Sequence, residues 1–133
     1  MNKIVVAGIA VVTVFLLGFV PQYLKANRLE NELRQARQDS AGALLRDLGG
    51  LAYFQASQKN FGLAIETSGR FFDQVRQSAG RAQDATSRKA LEDLLTMRDK
   101  ITTQLAKGDA AVMGDLQELF VRTRQATPGL SKP

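Results

Sequence analysis

The sequence predicts an all-α chain: a transmembrane helix at the N-terminus, a helical stalk, and two antiparallel helical hairpins packed as a four-helix bundle or as a solenoid-like pair. Three observations predict it. Residues 4–20, IVVAGIAVVTVFLLGFV, carry no charge and a single polar side chain, Thr13. Between residues 44 and 126 apolar side chains recur three and four apart, the period of a helix with one buried face. No stretch shows the strict apolar-polar alternation of a half-buried strand. The organisation that follows is an anchor at 1–24, a stalk at 25–43, a helical domain at 44–126 and a disordered tail at 127–133.

As a helix the apolar run rises roughly 25 Å, a little less than the ~30 Å apolar core of a bilayer. Lys3 and Lys25 can reach outward from its ends, and Tyr23 can sit at the interface. A cleaved signal peptide is the competing reading, but Phe19, Val20, Pro21, Gln22, Tyr23 and Leu24 are too bulky for a cleavage site, and without Cys the lipoprotein route is closed. The expectation is therefore a single-pass protein of the cell membrane, plasma or inner. Counting basic residues sets Lys3 against Lys25, Arg28, Arg34 and Arg37, which points the domain to the cytoplasm; retention of the short N-terminal tail would instead place it in the periplasm.

Pro21 suits a first helical turn, and the polar helix formers resume behind it. Ala26, Leu29, Leu33, Ala36, Ser40 and Ala43 keep a 3-4 spacing along the stalk, but only the two leucines are good coiled-coil knobs, so weak self-association through the stalk is left open. The first domain helix carries Leu44, Leu45, Leu48, Leu51, Ala52 and Phe54 or Gln55 as its stripe, with Gly49-Gly50 as a weak point or a close-packing site. Lys59-Asn60 reads as a tight break in which Asn60 is a left-handed cap or an N-cap. Phe61, Ala64, Ile65, Ser68, Phe71 or Phe72 and Val75 form the second stripe, which Gly80 ends. After a polar linker, a third helix with Ser87 as a cap places Leu91, Leu94, Leu95, Arg98, Ile101, Thr102 and Leu105 on one face and closes at Gly108. Asp109 then caps a fourth helix bearing Val112, Met113, Leu116, Leu119, Phe120 and Thr123, which Thr127-Pro128-Gly129 stops.

Within this pattern residues 45–78 resemble one tetratricopeptide repeat, a helix-turn-helix unit of about 34 residues. Leu51-Ala52 stand where that family has Leu-Gly or Leu-Ala, Phe61 where an aromatic opens its second helix, and Ala64-Ile65 where it has a small residue and an aliphatic neighbour. Ser68, Phe71 and Arg76 depart from the pattern, where the family has an aromatic, a small Ala and Pro. The hairpin at 87–125 has the right size without the motif. The resemblance implies a protein-interaction scaffold, and it carries over no ligand-contacting residue.

Composition narrows the chemistry. With no His, Cys or Trp, the chain has no imidazole or thiolate catalyst, no disulfide and none of the usual zinc or haem ligands. Glu92, Asp93 and Asp99 put three carboxylates on one helix, but Arg88, Lys89, Arg98 and Lys100 are interleaved with them, the pattern of a solvated face. No cofactor or metal is expected and no catalytic activity; a small carboxylate-dependent hydrolase is the remote alternative. A net charge of +5, from 18 basic against 13 acidic residues, favours anionic partners. Lys25, Arg28, Arg34 and Arg37 are the candidate contacts for lipid headgroups, which gives the alternative of a basic helical domain on an anionic membrane surface. No nucleic-acid recognition motif accompanies the basic residues, so nucleic acid is not an expected partner. Adjacent aromatics diverge by about 100° on a helix, so one member of Tyr53-Phe54 and of Phe71-Phe72 is a candidate to line a partner groove. The leading expectation is a membrane-tethered helical interaction or scaffold module with a protein partner.

Overall fold

A computed structural model of the chain describes the backbone of residues 2–128, and their side chains apart from those of 15–24 and 26. Five helices, α1 Lys3–Ser57, α2 Phe61–Arg81, α3 Ala85–Leu95, α4 Arg98–Lys107 and α5 Val112–Ala126, account for nearly all of it. There is no strand among the described residues. The all-α expectation holds. The segments read as anchor, stalk and first domain helix are one continuous element, α1. The chain divides into two compact units, Met1–Arg37 and Gln38–Pro133.

In the first unit the expected transmembrane helix is overturned, because no helix among the described residues is long and apolar enough to cross a membrane. Single-pass localisation in a cell membrane falls with it, and so does the choice between cytoplasmic and periplasmic sides. The physical reason is that α1 has the length but not the apolar span. The uncharged run, residues 4–20, rises roughly 25 Å as a helix, short of the ~30 Å apolar core of a bilayer. From Lys25 onward charged residues recur every few positions. The interfacial role expected of Tyr23, the Ala26 position of the stalk stripe and the tail at 129–133 lie outside the described residues.

The second unit is held by a core whose largest members are Phe71 and Phe72, with Leu45, Leu94, Ile101, Leu105, Leu116 and Leu119. Helix α2 buries Ala64, Thr67, Ser68, Phe71, Phe72, Val75 and Ala79, a 3-4 stripe wide enough to face neighbours on two sides. It packs against α3 and α4, and α5 packs against the same two helices. The last turns of α1 approach the core at Gly49, where a Cβ would stand 3.6 Å from both the Phe71 and the Phe120 rings. That is close packing with room for a methyl group. Where α1 enters the unit, the Arg46 guanidinium donates to the Thr127 carbonyl and to its hydroxyl, tying α1 to the end of α5. Thr127 is therefore held, although the tail was expected to begin there.

Two turns share one design. After α1, Lys59 N–H donates to the Ala56 carbonyl and Asn60 N–H to that of Gln55, with Lys59 in the left-handed region at φ 59°. After α4, Gly108 donates to Leu105 and Asp109 to Gln104, with Gly108 at φ 62°. Both are Schellman closures of a helix end. Glycine fills the left-handed position in the second, as expected, whereas in the first it is Lys59 and not Asn60 that turns left-handed. Asn60 occupies the N-cap position of α2 without a side-chain bond.

The helix expected from Ser87 to Lys107 is two. Thr96 and Met97 donate to carbonyls three residues back, at Asp93 and Leu94, and the Thr96 hydroxyl also donates to Asp93 O. This tightened turn competes with the four-residue ladder and separates α3 from α4. The stripe survives the break, since Leu91, Leu94, Ile101 and Leu105 are all buried. The cap of α3 is Asp84: its carboxylate accepts from Ser87 N–H at 3.0 Å and from the Ser87 hydroxyl at 2.9 Å. Ser87 is the other half of that box. Asp109 acts one turn ahead of α5, accepting from Ala111 N–H at 2.9 Å.

Candidate interaction surface

The buried face of α1 in the second unit consists of Gly42, Leu45, Gly49, Ala52 and Ala56, spaced three and four apart and aligned on the helix. Four of these five are glycine or alanine, and at Gly49 the face receives the Phe71 and Phe120 rings of the neighbouring helices. At 100° per residue, Leu44, Leu51 and Phe54 fall within an arc of about 80° on the far side of the same helix. They are 44%, 45% and 59% exposed, respectively. The described residues of this unit leave all three exposed. Asp47, also exposed, lies within the arc, so the ridge is apolar on both sides of one carboxylate. Besides Tyr53, the other exposed large apolar side chains among the described residues of the unit, Leu63 on α2 and Val121 on α5, stand singly on their helices.

The four aromatics expected to line a groove are not brought together. Phe71 and Phe72 are fully buried and meet edge to face, with ring centroids 5.1 Å apart and planes at 86°. Both face inward because α2 has neighbours on two sides. Tyr53 and Phe54 remain accessible; Tyr53 flanks the buried face of α1 and Phe54 belongs to the outer ridge. Sequence reasoning placed Leu44 and Leu51 in the core stripe and so missed them as surface residues. The available signal was a helix whose apolar residues spread over an arc of about 200°, wider than one buried stripe requires.

Lys25, Arg28, Arg34 and Arg37 are exposed on α1 in the first unit. They do not form a bare cationic patch. Glu30 holds Arg34 at 3.2 Å, and Glu32 stands among them. Glu92, Asp93 and Asp99 are exposed on α3 and α4, without the burial that an acid-base role would need. Further acid-base pairs at i,i+4 join Glu66 to Arg70 and Glu118 to Arg122. Arg88 donates to the Ala82 carbonyl at 2.9 Å.

Two carboxyls of the second unit lie below the usual range. Asp84 is lowered by its side-chain and backbone hydrogen bonds from Ser87. Asp115 on α5 is lowered chiefly by the hydrogen bond from Lys100 on α4, 2.8 Å away, and the same contact raises Lys100. Both arrangements fasten helix ends and helix pairs, so they belong to the architecture of the unit.

Comparison with known proteins finds no matching family model, no matching curated protein and no matching solved structure.

Proposed function

We propose that the second unit is a helical protein-interaction module that holds a partner helix along α1. The observation that carries this reading is the exposed ridge of Leu44, Leu51 and Phe54 on the side of α1 turned away from the face it gives to its own core. Isolated exposed apolar residues are normal on any surface, but three aligned on one helix face offer the i, i+7 anchors that an amphipathic helix recognises. Asp47 within the ridge selects a partner with a Lys or Arg among its apolar anchors, since an unpaired carboxylate is costly to bury. The tetratricopeptide-like pattern of residues 45–78 supports the same role.

The test is recovery of bound proteins from cell extract by the tagged full chain, compared with Leu51→Asp and Phe54→Asp. A protein recovered with the wild type and reduced at least ~10-fold by either change, with the helical circular dichroism unaltered, is the expected result. Equal recovery by all three chains overturns the assignment of this face.

A further inference from the structure

A separate surface, on α1 of the first unit, points to a second copy of this chain as its occupant. Leu29 and Leu33 are 66% and 53% exposed and share one helix face with Ala36. Spacings of four and three make them successive d, a and d positions of a heptad. That register puts Lys25 and Glu32 at the g positions beside the seam, and Glu30 and Arg37 at the e positions on its other side. In a parallel, in-register pair each g residue meets the residue five positions later on the other helix. Lys25 then faces Glu30 of the second copy, and Glu32 faces Arg37. Both contacts join opposite charges, and the two-fold axis repeats each of them.

We propose that α1 self-associates over residues 25–37 as a short parallel, in-register coiled coil, with Leu29 and Leu33 as its knobs and Lys25–Glu30 and Glu32–Arg37 as its intermolecular pairs. The Glu30–Arg34 contact within one helix is compatible with this, because Arg34 lies outside the seam and a carboxylate accepts from two cations. Two heptads make a weak seam, so the dimer forms at high local concentration and dissociates on dilution. The charge pattern also sets direction. An antiparallel pair that keeps Leu29 against Leu33 places g against g and e against e, which sets Glu32 beside its own counterpart and Glu30 beside its own, so like charges face each other.

The discriminating experiment exchanges charges. Glu32→Arg and Arg37→Glu are prepared in the full chain, dispersed in mild detergent because of the exposed Ile4–Val14 run, and the mass is followed by sedimentation. The wild type should be dimeric at ~100 µM chain, and each variant alone should dimerise at least ~10-fold more weakly, since like charges then face each other. An equimolar mixture of the two variants should recover wild-type association, because in the mixed dimer both g–e′ contacts are again of opposite sign. A monomeric wild type at that concentration overturns the proposal. So does a dimer indifferent to both variants, as association through the apolar run would give, and so does a mixture that fails to recover.

Discussion

Helices α1 and α2 each carry two adjacent aromatics, and the two pairs have opposite surroundings. Phe71 and Phe72 are both fully buried, whereas Tyr53 and Phe54 are both exposed. The difference lies in how many sides of each helix are covered. Helix α2 meets α3 and α4 and receives Gly49 of α1 against Phe71, so positions 100° apart both find an apolar wall. Helix α1 packs through its Leu45, Gly49, Ala52, Ala56 face, and Leu51, Tyr53 and Phe54 outside that face stay exposed among the described residues. A double aromatic on a helix thus reports on its neighbours before it reports on a binding site.

The largest effects should separate those pairs. Phe71→Ala or Phe72→Ala leaves a ring-sized void at the centre of the unit and should cost about 3–5 kcal/mol in urea unfolding. Tyr53→Ala and Phe54→Ala remove rings that water already reaches and should change stability by no more than about 0.5 kcal/mol. A comparable loss at Phe54 would break the comparison.

Smaller effects sharpen it along α1. Gly49 sits inside a helix with room for a methyl against Phe71 and Phe120, so Gly49→Ala should stabilise by about 0.5–1 kcal/mol. Lys59 holds a left-handed conformation that Gly108 occupies freely in the equivalent turn, so Lys59→Gly should also stabilise, by about 1 kcal/mol. Thermal denaturation of both variants checks the pair. A loss at Gly49→Ala would mean that α1 packs more tightly there than its 3.6 Å contacts allow.

The smallest effect is a pH dependence. The lowered Asp115 carboxyl stabilises the fold above its unfolded pKa, ~4, and that contribution disappears as pH falls through its lower folded value. The raised Lys100 contributes below its unfolded pKa, ~10.4, and loses its share as pH rises through the higher folded value. The urea midpoints of the wild type and Asp115→Asn should therefore differ at neutral pH and converge toward pH 2. A constant gap across that range would remove the Lys100 contact as its cause.

Much of this architecture is legible in the chain because it rests on local rules. The stripes of α2 and α5, the Gly108 closure and the break at Lys59-Asn60 follow from spacing and turn chemistry. The split between α3 and α4 was not legible, since Leu94, Ile101 and Leu105 keep helical phase across it and only the Thr96 hydroxyl bond marks the place. The apolar N-terminal run has the composition of a span, whereas no helix among the described residues is long and apolar enough to cross a membrane. The interaction ridge was hidden because Leu44 and Leu51 resemble core residues until the face α1 turns inward is known. That face is fixed by contacts from α2 and α5, which no local window contains.

The central claim is that the outer face of α1 serves binding while the inner face serves the fold, and one paired measurement tests it most directly. Melting temperature and partner recovery are measured together on full-length wild type and Phe54→Asp. The account predicts an unchanged melting temperature with partner recovery reduced at least ~10-fold. Full recovery at an unchanged melting temperature would contradict it, and so would a collapse in stability, which would place Phe54 in the core.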